Sequence, residues 1–372
     1  MKQIKIYSFF SGCGLLDLGM ESAGFNIAMV SEKYKPFMEA YQYSRRKMGL
    51  AQPEHGYFNE DISNFVKKDS KISEIIKEDK KNCIIGFVGG PPCPDFSTAG
   101  KNKGAKGDNG KLTKTYFNLI AKEEPDFFVF ENVKGLWKTK KHKEFYDKMY
   151  NKMKRKGYCI TDKLLNSLEY GVPQERERVI MIGIKAKDKE QRKKIRDQIK
   201  KFSWGITTNK TVEIIKKIDW PIEDEFKENS IIKKPKNIID ELTVQYWFEK
   251  NDVVKHPNAD DYFKPRAGLE RMKTIPEGDV SKKSYKRLHR WRYSPTAAYG
   301  NNEVHLHPYK VRRLSVAEVL AIQSAPKNFE LPKTMSLTDM FKTVGNGVPV
   351  LMAQKLSNEL KSMLEICFKD EG

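Results

Sequence analysis

Apolar runs of strand length recur through the first half of the chain. Each is followed by a glycine-rich or polar turn and then by a stretch of helical period. The runs are Ile4 to Phe10, Ile27 to Val30, Ile84 to Val88, Phe127 to Phe130 and Val179 to Ile184. They are too short for helices and too continuous for strands with one wet face, so they read as strands buried on both sides. Between them, Leu15 to Ala23, Lys67 to Lys81, Thr113 to Lys122 and Lys140 to Lys156 are patterned as helices, with Gly24 and Gly157 as stops. Such alternation predicts an α/β fold with a doubly wound, mainly parallel sheet. The pattern lapses after Ile184 and returns near the C-terminus, in a helix from Val316 to Gln323 and a segment from Gly345 to Leu356 that rejoins the first domain.

Open α/β sheets bind ligands at the carboxyl ends of their strands, and the unusual residues of this chain sit there. After the first strand comes Ser11–Gly12–Cys13–Gly14–Leu15, a turn whose glycines let the backbone approach a ligand. Glu32 follows the second strand, twenty residues beyond Gly12, the spacing at which a carboxylate meets ribose hydroxyls. Asp61 follows the next unit; it reads either as an acceptor for an adenine amino group or as a turn aspartate. The run ending Gly89–Gly90–Pro91–Pro92–Cys93 stops at a corner that two prolines make rigid. Cys93 there is either a nucleophile or a structural thiol. Glu131, after an aromatic-rich strand, is expected to be buried with a raised pKa. Gln174, Arg176 and Arg178 would share one face of a strand, suiting a phosphate or a base oxygen.

Charge adds a partner. The 372-residue chain carries a formal charge of +20, which favours a polyanion such as nucleic acid or else reflects lysines kept for solubility. Residues 185–310 hold 29 Lys and Arg against 19 Asp and Glu, and Ser281 to Arg292 is the densest basic and aromatic stretch. Five scattered cysteines form neither a disulfide framework nor a CxxC pair, and a reducing cytoplasm, close to the nucleoid, is the expected setting. No apolar run approaches the roughly 20 residues that span a bilayer. His305 and His307 lack partners at ligand spacing, so no metal is assigned.

Taken together and in this order, these motifs resemble those of the C5-cytosine DNA methyltransferases. Phe10–Ser11–Gly12–Cys13–Gly14 is similar to the first motif of that family, Pro91–Pro92–Cys93 to its Pro-Cys loop, and Glu131–Asn132–Val133 to its ENV tripeptide. Gln174–Glu175–Arg176–Glu177–Arg178 is similar to its QxRxR. Arg313 to Gln323 and Gly345–Asn346–Gly347–Val348–Pro349 resemble its last two motifs. The resemblance implies a Rossmann-like catalytic domain that binds S-adenosylmethionine and releases S-adenosylhomocysteine. Phe10 would stack on the adenine, Glu32 hold the ribose and Asp61 bond the amino group. Ser11, Gly12, Cys13, Gly14, Leu15, Lys33, Ile62, Pro92, Leu112, Asn346 and Val348 would complete the pocket. Cys93 would attack C6 of a flipped-out cytosine, Glu131 would bond N3 and the exocyclic amine, and Arg176 and Arg178 would secure the base and its phosphate. Double-stranded DNA would be met by Ser97, Lys101 and Lys103 of a lid-like loop and by Gln174, Lys286, Arg287, Arg290, Arg292 and Thr296.

Residues 1–185 and 335–372 are therefore expected to form one discontinuous catalytic domain, and 186–334 a smaller target-recognition domain with a hinge. Pro94 stands where the family usually has Gln, Leu15 where it has a third glycine, and Lys33 where a bulky residue often packs on adenine. A monomer that modifies DNA alongside a cognate restriction endonuclease is expected. The competing readings are the same chemistry on tRNA and a catalytically dead DNA-binding regulator.

Overall fold

The structure is a computed structural model that describes residues 2–92, 108–206, 210–265, 268–282, 284–296 and 304–369. Its strands are β1 (Gln3–Phe9), β2 (Asn26–Ser31), β3 (Tyr57–Phe58), β4 (Cys83–Gly89), β5 (Phe127–Val133), β6 (Tyr158–Asn166), β7 (Gln174–Glu175), β8 (Glu177–Lys185) and β9 (Ser294–Pro295). Seven form one sheet in the order β3-β2-β1-β4-β5-β8-β6. β1 to β5 pair in parallel, whereas β8 runs antiparallel to both β5 and β6. The apolar run at Val179–Ile184 marks β8 but carries no trace of its direction, because burial on both faces looks the same either way along the chain.

Helices cover both faces, as the continuous apolar strands require. On one side Ile6, Val88, Phe127 and Ile182 meet Met20 and the C-terminal residues Met352, Leu356, Leu360 and Leu364. On the other Phe9, Phe87, Phe128 and Met181 meet Tyr116, Phe117 and Ile120 of helix Asp108–Glu123. The C-terminal helix Val350–Cys367 lies against helix Leu15–Ser22 because Gly19 has no side chain. A Cβ there would stand 2.3 Å from that of Ala353. The packing of the C-terminal helix on the helix after β1 thus depends on one close approach.

Two expectations change. The single helix over Lys67–Lys81 is two, Ser63–Val66 and Lys71–Asp79, because Lys67 and Ser70 adopt extended backbone angles. The domain edge expected at residue 186 also shifts. Helix Lys189–Lys201 buries Ile195 in the sheet-side core, which also takes in Trp204. At the far end, helices Val316–Ile322 and Leu337–Asn346 share a core with Leu15, Leu18, Val244 and Trp247.

The described residues of 210–315 contain few regular elements; some, such as Val244, Trp247, Phe248 and Leu288, join that shared core, while others form two small apolar clusters, Ile215–Trp220–Leu242–Tyr293 with Leu168 and Met272–Ile275–Leu306. Buried polar groups compensate. Arg287, with no exposed surface, donates to the carbonyls of Ile275, Met272, His307 and Lys310. Arg290 grips Glu277 through Nε (2.8 Å) and Nη2 (2.7 Å) and also reaches Ser230. Leaving Glu277 as an unpaired buried charge costs about 3–5 kcal/mol. Arg290→Ala should therefore lower the unfolding free energy by an amount of that size, measurable by urea titration.

Candidate active site

β1 ends in a turn with three left-handed positions, two of them glycines. Gly12 and Gly14 adopt left-handed angles (φ 56° and 92°), and Phe10, a bulky residue, is also held at φ 56°. A bulky side chain in that region is strained, and such strain gathers at functional turns. Gly12 N–H donates to Glu32 Oε2 at 3.0 Å and Tyr34 N–H to Glu32 Oε1 at 2.8 Å, so the carboxylate after β2 is locked to the turn after β1. Burial raises the pKa of Glu32 despite these donors. Asp61, after β3, accepts from Lys33 Nζ (2.8 Å) and Ser63 N–H (2.9 Å). The Lys33 bond is the largest influence and brings its carboxyl down to about 2. Phe10 and Leu112 pack on the cluster that holds Tyr116, Ile62 lies in the same cluster, and Gly347 sits against Leu15, whose Cδ1 is 2.7 Å from where a Cβ would be. Leu15 therefore occupies the room that a glycine would leave beside the last motif. Asn346 is exposed, Val348 buried and Pro92 exposed.

The result is a row of carboxylates and turn amides along the carboxyl ends of β1, β2 and β3. Acceptors there suit the hydroxyl and amino groups of a nucleoside, so the residues present fit an adenosyl cofactor. Cys13, although within the turn, is buried, and burial pushes its thiol up to about 12. It is therefore no competing nucleophile.

The second half of the site lies one strand further along. Glu131 is not beyond β5 but inside it, opposite Ile180 of β8. Its Oε1 pairs with Arg178 Nε at 2.9 Å. Burial raises its pKa, and Arg178 followed by Arg176 works against that rise. Gly90 has no side chain because Glu131 lies over it: a Cβ would stand 2.5 Å from Oε2. Asn132 Nδ2 reaches the carbonyl of Pro91 at 3.5 Å. The carboxyl is thus packed on the root of the Pro91–Pro92–Cys93 segment. Cys93, Ser97, Lys101 and Lys103 lie outside the described residues.

Gln174, Arg176 and Arg178 do not share one strand face. The strand breaks at Arg176, between β7 and β8. Gln174, fully buried, donates to Gln323, and Gln323 in turn to Val344 and Gly347. Arg176, 1% exposed, donates from Nη2 to the carbonyls of Gly345 (2.8 Å) and Asn346 (3.2 Å). These two therefore brace the turn between the last helices, while Arg178 forms the ion pair with Glu131, which also feels the charge of Arg176. The basic stretch needs a similar correction. Arg287 and Arg290 are buried and occupied by protein acceptors, so they hold the fold rather than DNA. Lys286 and Arg292 are half-buried, with Arg292 donating to the carbonyl of Pro221 at 3.3 Å. Thr296 is exposed and donates to the carbonyl of Glu175.

A family model described as C-5 cytosine-specific DNA methylase matches residues 4–362. The chain belongs to this family. Among curated relatives, the Type II methyltransferase M.NmeDI of Neisseria meningitidis serogroup C is 54% identical over 367 residues, spanning 98% of this chain and 85% of the relative. The Type II methyltransferase M.FnuDI of Fusobacterium nucleatum is 30% identical over 374 residues, spanning 97% and 95%. In fold, a solved mutant of Spodoptera frugiperda DNMT2 superposes with a TM-score of 0.57 at 18% identity, covering 97% of this chain and 99% of that one. As a member of the C-5 cytosine-specific DNA methylases, the protein is an enzyme that methylates C5 of cytosine in DNA, and the Rossmann-like sheet is the platform for that reaction. No described helix is long and apolar enough to cross a membrane.

The C-5 methylase site contains residues that sequence reasoning passed over. Tyr34, 44% exposed, follows Glu32 by two positions and its hydroxyl donates to Asp339 at 3.2 Å. An exposed aromatic beside a ribose-spaced acid was the available signal. Gln323 left no such signal, since its partners are 21 to 149 positions away.

Proposed function

We propose that this methylase acts by covalent catalysis through Cys93, with Glu131 as the acid on the opposite edge of an extruded cytosine and Arg178 orienting Glu131. The observation that supports this best is the packing of the Glu131 carboxyl on Gly90, immediately before the double proline that leads to Cys93. Cytosine C5 is a poor nucleophile. Addition of the Cys93 thiolate to C6 breaks the ring conjugation and makes C5 an enamine carbon. Protonation or a strong hydrogen bond at N3 from Glu131 draws off the charge that this addition creates. Once C5 has gained its methyl, loss of its remaining proton expels the Cys93 thiolate and restores the ring, and the N3 proton returns to Glu131. A duplex hides C6, so the base must leave the stack.

S-adenosylmethionine, when bound, supplies an electrophilic methyl on a sulfonium centre. Phe10, Ser11, Gly12, Gly14, Glu32 and Asp61 would hold it, with Leu112 and Val348 as apolar walls. Asp61→Ala should raise KM for S-adenosylmethionine about tenfold, the size of one hydrogen bond to a charged acceptor, while leaving kcat nearly unchanged in steady-state assays. The relatives described as Type II methyltransferases support a role as the modification enzyme of a restriction-modification pair.

DNA recognition falls to residues between about 210 and 315, through a different edge from the one the basic stretch suggested. Trp291 Nε1 holds the carbonyl of Ile232 (2.9 Å), Arg290 holds Ser230, and Arg292 holds Pro221. They display Ile231, 97% exposed, and Ile222, 72% exposed, with exposed Lys233 and Lys236 alongside. Each phosphate contact contributes about 0.9 to the slope of log K against log salt on duplex DNA. Lys233→Ala should flatten that slope by about this amount. The overall reading is tested by supplying methyl-labelled S-adenosylmethionine with duplex DNA or tRNA. Label recovered as 5-methylcytosine in DNA is expected; label only in tRNA would overturn it.

A further inference from the structure

Behind the glycine turn lies a buried acid that the proposed chemistry leaves without a task. Asp17 is 1% exposed, in the first turn of helix Leu15–Ser22. Ser8 Oγ donates to its Oδ1 at 2.8 Å and the Tyr41 hydroxyl to its Oδ2 at 2.9 Å. Ser8 Oγ lies 2.8 Å from Ser11 Oγ, and Ser11 also reaches the Ser31 carbonyl at 3.3 Å. On the other side, the Tyr41 ring fills the space beside Gly14, with its nearest carbon 2.6 Å from where a Cβ would stand. One carboxylate therefore fixes both ends of the turn, Ser11 through Ser8 and Gly14 through Tyr41.

We propose that Asp17 is a positioning residue for the methyl donor: its ionised carboxylate, acting through Ser8 and Tyr41, holds the Phe10–Gly14 turn in the shape that accepts S-adenosylmethionine. This rests on the reading of that turn as the donor site. An ionised carboxylate accepts both hydroxyls at once, and such charge-assisted bonds are about twice as strong as neutral ones. A proton on Asp17 turns one oxygen into a donor. The hydroxyl facing it must then reverse, and on the Ser8 side that reversal passes to Ser11. Burial is the largest influence on Asp17 and pushes it up to about 7. The groups facing it are Ser8 from β1, Tyr41 and Arg45 from helix Lys35–Lys47, and Glu21 from its own helix. Arg45 is held by Glu21 at 2.6 and 2.8 Å, which mutes its pull on Asp17. The charge state that orders the turn therefore changes near neutral pH.

There is also a stability signature. A carboxyl whose folded pKa lies above its unfolded value opposes folding increasingly as pH rises from the ordinary carboxylate range to the folded value. An acid kept only as scaffold would not be expected to carry that penalty at working pH.

The test is calorimetric titration of the full-length enzyme with S-adenosylhomocysteine from pH 6 to 8, for wild type, Asp17→Asn and Tyr41→Phe. Wild type should bind about tenfold more tightly at pH 8 than at pH 6, the effect of one charge-assisted bond. Asp17→Asn should bind at all pH values as wild type does at pH 6, and should melt no lower than wild type at pH 8. Its loss should fall on KM for the donor and not on KM for DNA. Tyr41→Phe keeps the ring on Gly14 but removes a donor that holds Asp17 down, so the pH midpoint should move upward. The proposal is overturned if Asp17→Asn keeps the wild-type pH profile. It is equally overturned if that variant melts lower and loses donor and DNA affinity together. If wild type binds no S-adenosylhomocysteine at any pH, the assignment of the turn itself fails, a distinct result.

Discussion

Cys93→Ala should abolish methyl transfer, lowering incorporation of labelled methyl into DNA by about four orders of magnitude or more, as removal of a covalent nucleophile does. The chain offers no substitute. Cys13 is buried with its thiol pushed up to about 12, and Cys367 is buried with its thiol pushed up to about 11. Cys159 is likewise buried, and Cys83 lies at the start of β4 while the site lies past its end. Calorimetry on the same variant should still show S-adenosylhomocysteine binding, because none of the donor groups is touched. Loss of both transfer and binding would mean that the substitution unfolds the site, and wild-type transfer would mean that another group attacks C6.

The second large effect is expected at Glu131. Glu131→Gln keeps the size of the side chain and a hydrogen-bonding group on Gly90, but it cannot give a proton to N3. General acid catalysis contributes about 10²–10⁴ in rate, so kcat should fall within that range while KM for DNA changes little. The pH profile carries the sign. Burial raises the folded pKa of Glu131 above the ordinary carboxylate value, so its acid form persists at higher pH and is lost as pH rises through the folded value. Single-turnover rates should fall along that limb in wild type and show no such limb in Glu131→Gln. Arg178, 2.9 Å away, pulls the other way. Arg178→Ala should therefore move the limb to higher pH, at some loss of rate because the carboxyl is no longer oriented.

Much of this was written in the chain itself. Strands buried on both faces announce themselves as apolar runs, and β1, β2, β4, β5 and β8 were all legible for that reason. The 20-residue gap from Gly12 to Glu32 became a 3.0 Å hydrogen bond. Spacing predicts contact well when one short crossover helix links two neighbouring parallel strands. What failed was the reading of charge. Arg176, Arg287 and Arg290 look like surface cations in one dimension, yet each is buried against carbonyls or a carboxylate contributed from 12 or more positions away. A guanidinium with five donors is the side chain best able to tie together segments with little regular structure, and sequence does not reveal which arginines do so. Glu131 was recognised, but its support was not. The contact of its carboxyl with Gly90 depends on β4 lying beside β5, and only the folded sheet supplies that.

The central claim is that a sulfur at Cys93 and a carboxyl at Glu131 act on one extruded pyrimidine. It is tested most directly with duplex DNA carrying 5-fluorocytosine at the methylated position, which bisulfite sequencing of modified DNA would first locate. Fluorine at C5 cannot leave as a proton does, so the adduct should stall after methyl transfer. Mass spectrometry should then find DNA bonded to the peptide that contains Cys93, only when S-adenosylmethionine is present in the reaction, and far more slowly in Glu131→Gln. A methylating enzyme that forms no adduct, or forms one on another residue, would contradict the account.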